Sequence, residues 1–154
     1  NEYGFTVENF GSDSFVTTSI GNAFQTYNCK KLNLICVSDS FNSPIKKICA
    51  TGTGYIVCSH GHHVSVWKRG KMVGEPIKHT CDVINLMCIG NYVFSLDEQG
   101  CLLMWNAASK KIHFENFFTG NFTITAWCHP PTYLNKILLG FSSGSLQIWD
   151  IITW

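Results

Sequence analysis

The amino-acid sequence predicts an all-β fold, a partial β-propeller of about four four-stranded blades whose ring is incomplete. Two observations predict it: one type of hairpin recurs about every 40 residues, and the chain lacks long helical periodicity. One such hairpin per 40 residues is typical of a propeller blade, and 154 residues leave room for four blades. Four blades make a short propeller, so we expect the ring to be open.

The recurring hairpin is an apolar run, a turn with glycine, and a strand that closes on an aromatic residue. The closing aromatics lie 40, 38 and 44 residues apart and are Tyr27, Trp67, Trp105 and Trp149. The turn glycines precede them by five or six residues and are Gly21, Gly61, Gly100 and Gly144. The predicted blades are therefore residues 3–37, 45–77, 82–117 and 122–154 of one domain, 1–154.

Within these units, turn residues separate short apolar runs that we interpret as strands. The first unit is the least regular in sequence, whereas the third reads as "DVINLMC", "NYVFSLD" and "CLLMWN". Continuous apolar runs indicate strands that are covered on both faces, as inner strands between two neighbouring blades would be. In the fourth unit, Gly140 favours a loop and strand over a helix for 132–141, and the unit ends before an outermost strand can complete.

The composition indicates a chain that other protein surfaces cover. Charged residues make up 14% of it, against about 25% in an ordinary soluble domain, and apolar residues make up 45%. The net charge of +1 argues against a strongly basic nucleic-acid clamp. Since the first and last units would expose apolar faces and unpaired edges, we expect the isolated chain to self-associate. No run approaches the roughly 18 apolar residues of a membrane span, so no membrane partner is expected.

Cysteine and histidine are the candidate chemical groups. Eight cysteines occur without C-x-x-C spacing and mostly inside apolar runs, which favours reduced, buried thiols. Cys58, His60, His62 and His63 offer metal ligands, but around a tight turn their side chains would diverge. Adjacent Cys128 and His129 would face opposite ways on a strand, which argues against a nucleophile pair. We therefore predict no metal, no cofactor and no enzymatic activity.

The closing dipeptides resemble those of the WD-repeat family. Trp149-Asp150 is the literal dipeptide, while the other units close as Tyr27-Asn28, Trp67-Lys68 and Trp105-Asn106. The resemblance implies a buried network of His, Ser, Asp and Trp, for which the third unit supplies His79, Ser95 and Trp105. Gln99 stands before Gly100 where an Asp is expected, so we predict a partial network there.

A closer resemblance lies in "HPPTYLNKILLGFSSGSLQIWD", residues 129–150, and in "FVTTSIGNAFQTYN", residues 15–28. These stretches are similar to the large nucleolar WD-repeat proteins of the small-subunit processome, which join the small nucleolar RNA that guides early ribosomal RNA cleavage. The resemblance implies the N-terminal part of the first of two propellers. It also implies a nucleolar scaffold for pre-ribosomal RNA processing, with other WD-repeat and processome proteins as partners and pre-ribosomal or small nucleolar RNA among its contacts.

Basic residues cluster at the predicted blade edges. The candidate RNA or partner contacts are Lys46, Lys47, Lys68, Arg69, Lys71, Lys110 and Lys111. A solvated rim is the alternative interpretation of these lysines. For the whole chain, the alternative function is a WD-repeat adaptor of another intracellular pathway, trafficking or chromatin.

Overall fold

The structure is a computed structural model that describes residues 4–130, 132–133 and 135–152. These residues form β-strands, turns and one 3₁₀ turn, Gly120–Phe122. The strands make separate antiparallel sheets that follow one another along the chain, and the sheets do not close into a ring. The prediction of an all-β, incomplete propeller is confirmed. None of the helical residues described here forms a segment long and apolar enough to cross a membrane.

Each sheet is a meander that we call a blade. Blade 1 contains β1 (Phe5–Phe10), β2 (Asp13–Ile20), β3 (Ala23–Asn28) and β4 (Asn33–Val37). Blade 2 contains β5 (Lys47–Ala50), β6 (Ile56–His60), β7 (His63–Lys68), β8 (Lys71–Met72) and β9 (Ile77–Lys78). Blade 3 contains β10 (Val83–Ile89), β11 (Tyr92–Asp97), β12 (Cys101–Asn106) and β13 (Ile112–Phe117). Blade 4 contains β14 (Ile124–Cys128), β15 (Lys136–Phe141) and β16 (Leu146–Asp150).

Blade 2 has a divided outer strand. Its outer strand is divided into β8 and β9, which pair with opposite ends of β7. The residues between them include Gly74, with a φ of +63°, and Pro76, which has no N–H to donate to a ladder. In blade 1 the four strands pair over nearly their whole length, with one register shift between Thr26 and Tyr27. The unit that is least regular in sequence thus forms a regularly paired sheet.

The hydrophobic core consists of layers between successive blades. Phe24 of blade 1 packs with Ile56, Cys58 and Trp67 of blade 2. The next layer joins valines of β6 and β7 to β10, β11 and β12, and the third joins blade 3 to blade 4. Inner strands such as β6 and β11 are buried along almost every residue, as their continuous apolar runs predicted. Burial on both faces makes apolar packing the main stabilising term for blades 2 and 3.

The four turn glycines all adopt left-handed backbone conformations, with φ between +59° and +86°. Gly100 is the most constrained of them, because a Cβ there would lie 2.0 Å from the carbonyl oxygen of Phe118. The Phe118 N–H donates back to the Gly100 carbonyl at 2.8 Å. This glycine therefore lets the β11–β12 turn touch the segment that leaves β13.

Candidate interaction surface

Blade 3 contains a buried chain of hydrogen bonds that begins at the closing tryptophan. Trp105 Nε1–H donates to Ser95 Oγ at 3.3 Å, and Ser95 Oγ lies 2.8 Å from His79 Nε2. His79 Nδ1 lies 3.2 Å from Asp97 Oδ2, so a neutral imidazole protonated at Nδ1 satisfies every step. Asp97 Oδ1 accepts the backbone N–H groups of Gln99 and Cys101. The network ties the loop between blades 2 and 3 to the β11–β12 hairpin.

The prediction of a partial network is therefore wrong, because an aspartate, Asp97, completes it. Asp97 stands three residues before Gly100, whereas Gln99 occupies the position directly before that glycine. The signal was present in "SLD": Ser95 and Asp97 are two residues apart on β11, so their side chains share a face.

The same network accounts for a potential metal-ligand cluster. His79, Asp97 and Cys101 place ligand atoms within 4.8 Å of one another, and all three residues are buried. Both imidazole nitrogens and both carboxylate oxygens are already engaged in the hydrogen bonds above. Burial lowers the pKa of His79, against the opposing effect of Asp97, which favours a neutral ring. The arrangement is suited to holding two elements together.

The other three closing aromatics use a simpler arrangement, in which each bonds to the side chain two residues earlier on its own strand. Trp67 Nε1 donates to Ser65 Oγ, and Trp149 Nε1 donates to Gln147 Oε1, each at 2.8 Å. The Tyr27 hydroxyl donates to Gln25 Oε1. Residues two apart on a strand face the same way, so one strand satisfies its own polar group without a neighbouring strand.

The residue after the aromatic caps the next turn. The side-chain oxygens of Asn28 and Asn106 each accept the backbone N–H groups two and three residues further along, at 2.9 to 3.1 Å. Asp150 Oδ1 accepts the N–H of Ile152 in the same way, and its other oxygen accepts Asn135 Nδ2. These are Asx turns, which an amide makes as well as a carboxylate. Asparagine therefore replaces aspartate in blades 1 and 3 without loss of the turn.

The basic candidates Lys46 and Lys47 lie at the start of blade 2. Lys46 Nζ forms an ion pair with Asp82 Oδ2 at 2.6 Å, which joins the approaches to blades 2 and 3. The Lys47 backbone N–H donates to Ser59 Oγ at 3.1 Å. Both residues therefore take part in contacts within the chain.

Lys68, Arg69 and Lys71 surround the turn after β7. Lys68 Nζ lies 4.7 Å from the centre of the Tyr55 ring, and Lys71 Nζ lies 3.6 Å from Asp39 Oδ2. Arg69 is exposed and adopts a φ of +51°. Among the described residues, three blades carry basic residues at this equivalent turn, since Lys30 and Lys31 follow β3 and Lys110 and Lys111 follow β12.

Lys110 does not behave as a solvated rim residue. Its ammonium group is buried, without a hydrogen-bond partner among the described residues, 5.5 Å from the centre of the Trp105 ring. Burial lowers the pKa of Lys110 to about 8. The neighbouring Lys111 is exposed. Of this pair, Lys111 is the residue available to a partner.

The histidines of the β6–β7 hairpin pack against one another. The His60 and His63 rings are stacked with centroids 5.6 Å apart, and His62 lies 4.0 Å from His63. Burial and the neighbouring imidazoles lower the pKa values of His60 and His63. Cys58 is buried in the layer against blade 1. Among its described residues, this hairpin has no group of three ligand atoms within 4.8 Å of one another.

The two ends of the row of blades present apolar side chains to solvent. On blade 1, Phe5 and Val7 of β1 are 67% and 53% exposed. On blade 4, Leu146 and Ile148 of β16 are 70% and 65% exposed. In the described part of blade 4, β16 pairs on one side only. These apolar flanks are candidate contact surfaces.

Solved structures of low identity share this fold. The crystal structures of the computationally designed proteins Ika8 and Ika4 match with TM-scores of 0.68 and 0.67, each at 16% identity. Both matches cover 95% of this chain, and they cover 45% of the Ika8 chain and 89% of the Ika4 chain. At this identity the likeness supports the fold alone.

The relatives with higher sequence identity are named as U3 small nucleolar RNA-associated proteins or as a WD repeat-containing protein. The chain is 35% identical to the U3 small nucleolar RNA-associated protein 21 homolog of Schizosaccharomyces pombe over 98% of its length, and 36% identical to human WD repeat-containing protein 36 over 89%. It spans only about a sixth of these relatives, 17% and 15%. The family model described as "WDR36/Utp21 first beta-propeller" matches residues 16–154. This chain therefore belongs to the family of the WDR36/Utp21 first β-propeller.

Proposed function

We propose that this chain is part of a non-enzymatic scaffold for small-subunit ribosome biogenesis and pre-ribosomal RNA processing. The observation that carries the proposal is 35% identity, across 98% of the chain, to a relative named for its association with U3 small nucleolar RNA. In this proposal the protein works in the nucleolus, and its partners are other WD-repeat and processome proteins.

The chemistry of the blades supports a scaffold over an enzyme. His79 and Asp97, the paired titratable groups of the buried network, use their polar atoms in hydrogen bonds to each other, to Ser95 and to backbone N–H groups. A general base must have a free atom within reach of substrate, which this pair does not offer. The exposed apolar flanks are instead suited to covering by other protein surfaces.

RNA contact is the second part of the proposal. Arg69 and Lys111 are exposed at equivalent turns of blades 2 and 3, where their charges can reach phosphates. Lys110 is excluded from this role, since its ammonium group is buried. In ultraviolet crosslinking of the full chain in cells, Arg69→Glu combined with Lys111→Glu should reduce crosslinked pre-ribosomal RNA several-fold. Undiminished crosslinking would remove these two residues from the proposal.

A chimera tests the scaffold role. The segment of the fission-yeast relative that matches this chain is replaced by residues 1–154, and the chimera is expressed as the sole copy. We expect it to support growth, to co-purify U3 small nucleolar RNA and to restore early pre-ribosomal RNA cleavage. A chimera that carries Gly100→Ala, which places a Cβ against the Phe118 carbonyl, is the matched control for loss of the blade fold.

A chimera that is soluble and stable yet fails to associate with U3 RNA would contradict the proposal. Purification of the full chain gives a second readout. Recovery of membrane-coat proteins or histone-modifying enzymes, without processome subunits, would favour the alternative adaptor function.

A further inference from the structure

A cleft between blades 1 and 2 has a volume of about 370 Å³ and contains an acidic side chain. Strands of blade 1 form one wall, and β6 with the turn after β7 forms the other. The lining is mainly apolar at the β1 end, where Glu8 lies among Phe10, Phe15 and Phe24. The β1 end of the cleft is thus hydrophobic and contains one ionisable side chain, that of Glu8.

Glu8 has no partner for one of its oxygens. Its Oε1 is buried and accepts no hydrogen bond from the described residues. Burial raises the pKa of this carboxyl to about 7. A buried acceptor without a donor is unfavourable, so the site favours a ligand that supplies one.

Aromatic rings lie beside this carboxyl. Glu8 pairs with Phe15 across β1 and β2, and the Phe10 and Phe15 rings are 6.1 Å apart and tilted by 57°. The Phe10 ring lies over Gly54, where a Cβ would be 2.9 Å from Cζ. Ring faces attract cations and pack against methylene stems, so the wall and the carboxyl favour the same kind of ligand.

The other end of the cleft, at the turn after β7, carries positive charge, opposite to that of an ionised Glu8. Lys68 and Arg69 line it and are exposed, and Lys68 Nζ lies over the Tyr55 ring. A bound anion would be attracted to this end but repelled by ionised Glu8 at the other. Charge complementarity therefore orients a ligand with its positive group towards Glu8.

We propose that the cleft between blades 1 and 2 binds a basic side chain of a partner protein, a lysine or arginine. Its charged group donates to the Glu8 carboxylate, and its aliphatic stem packs against Phe10 and Phe15. The proposal rests on the cleft and is independent of the role in ribosome assembly.

A peptide-binding assay on the full chain tests the proposal. The probe is a fluorescent pentapeptide, Gly-Ser-Lys-Ser-Gly blocked at both ends, and the comparison peptide has norleucine in place of lysine. We expect the lysine peptide to bind at least tenfold more tightly than the norleucine peptide. Glu8→Gln should abolish that difference, while Glu98→Gln, which removes an exposed carboxylate from blade 3, should leave it unchanged.

The pH dependence of wild-type binding is a second, independent readout. Because a protonated Glu8 cannot pair with a cation, the Kd of the lysine peptide should rise about tenfold between pH 8 and pH 6. This measurement needs no variant, so it stands even where Glu8→Gln fails to fold. Equal affinity for both peptides, a Kd that does not change with pH, or no binding at millimolar peptide would overturn the proposal.

Discussion

A single buried hydroxyl group, that of Ser95, contributes to the stability of blade 3. Ser95 Oγ serves two other buried groups, because it accepts the Trp105 N–H and donates to His79. Ser65 Oγ, at the corresponding place in blade 2, accepts the Trp67 N–H and lies 3.5 Å from the Cys58 carbonyl oxygen. The two serines are chemically identical and equally buried, yet they differ in how many side chains depend on them.

We predict that Ser95→Ala lowers the free energy of unfolding by about 2 to 4 kcal/mol, because it leaves two buried polar atoms, Trp105 Nε1 and His79 Nε2, without their Ser95 partner. Ser65→Ala is the matched control. It should lower the free energy of unfolding by about half as much, since only the Trp67 side chain loses its hydrogen-bond partner. Chemical denaturation followed by tryptophan fluorescence measures both. Equal losses for the two variants would show that the blade 3 network adds no stability of its own.

The buried ammonium group of Lys110 gives a prediction about pH. Its pKa falls from 10.5 to about 8 on folding, so between those values the unfolded chain still holds a proton that the folded chain has lost. Stability therefore rises with pH through this window. Lys110→Met keeps the stem and removes the charge, so it should raise the free energy of unfolding at pH 7.5 and by less at pH 9.5.

Lys111→Met is the control for that experiment, because its side chain is exposed on the same turn. It should leave the free energy of unfolding unchanged at both pH values. A Lys110→Met variant that is less stable than wild type at pH 7.5 would show that attraction to the Trp105 ring outweighs the desolvation of the ammonium group.

At the scale of elements, turns determine where the blades touch. The β11–β12 turn meets the end of β13 at Gly100, whereas the β15–β16 turn at Gly144 has open space around it. Both glycines have φ above +80°, so an alanine pays a similar backbone cost at each. The difference between the two substitutions thus isolates the contact with the Phe118 carbonyl.

We expect Gly144→Ala to lower the free energy of unfolding by about 1 to 2 kcal/mol, the cost of a left-handed alanine. Gly100→Ala should cost several kcal/mol more, or prevent folding, because the 2.0 Å approach forces the backbone apart. Thermal unfolding followed by circular dichroism separates the two outcomes. Equal melting temperatures would mean that the β11–β12 turn can move away from β13 without strain.

Some elements follow from the sequence and others depend on tertiary contacts. Aromatic spacing and turn glycines are local signals, so the hairpins that end at Trp67, Trp105 and Trp149 were predictable. Asp97 was missed because its position was counted from Gly100 and not from Ser95, with which it shares a strand face. The division of the outer strand of blade 2 and the burial of Glu8 depend on how neighbouring segments pack, which no local pattern reports.

At the scale of the whole molecule, the row of blades has two unlike ends that are both apolar. Phe5 and Val7 lie at one end, and Leu146 and Ile148 at the other. Burying such side chains contributes about 25 cal/mol for each Å² of apolar area removed from water. Burial of either flank against another protein surface would therefore strongly favour association.

We predict that the isolated 154-residue chain self-associates through these flanks. Sedimentation velocity should show a coefficient that rises with concentration, and Leu146→Lys with Ile148→Lys should reduce that rise. Leu32→Lys is the control, because Leu32 is 85% exposed but lies on the turn after β3. A wild-type chain that stays monomeric at high concentration, or an equal effect of Leu32→Lys, would contradict the prediction.

The Asx turns at Asn28 and Asn106 have a consequence for chemical ageing. Deamidation that yields aspartate leaves a side-chain carboxylate, which would accept the same backbone N–H groups. Two such events would change the formal charge of the 154 residues from +1 to −1 while the turns kept their shape. Asn28→Asp with Asn106→Asp should accordingly move the isoelectric point to lower pH and leave the melting temperature nearly unchanged. The deamidated chain would then keep the same fold but bind polyanions less strongly. The two new carboxylates would lie near Lys30, Lys31 and Lys111.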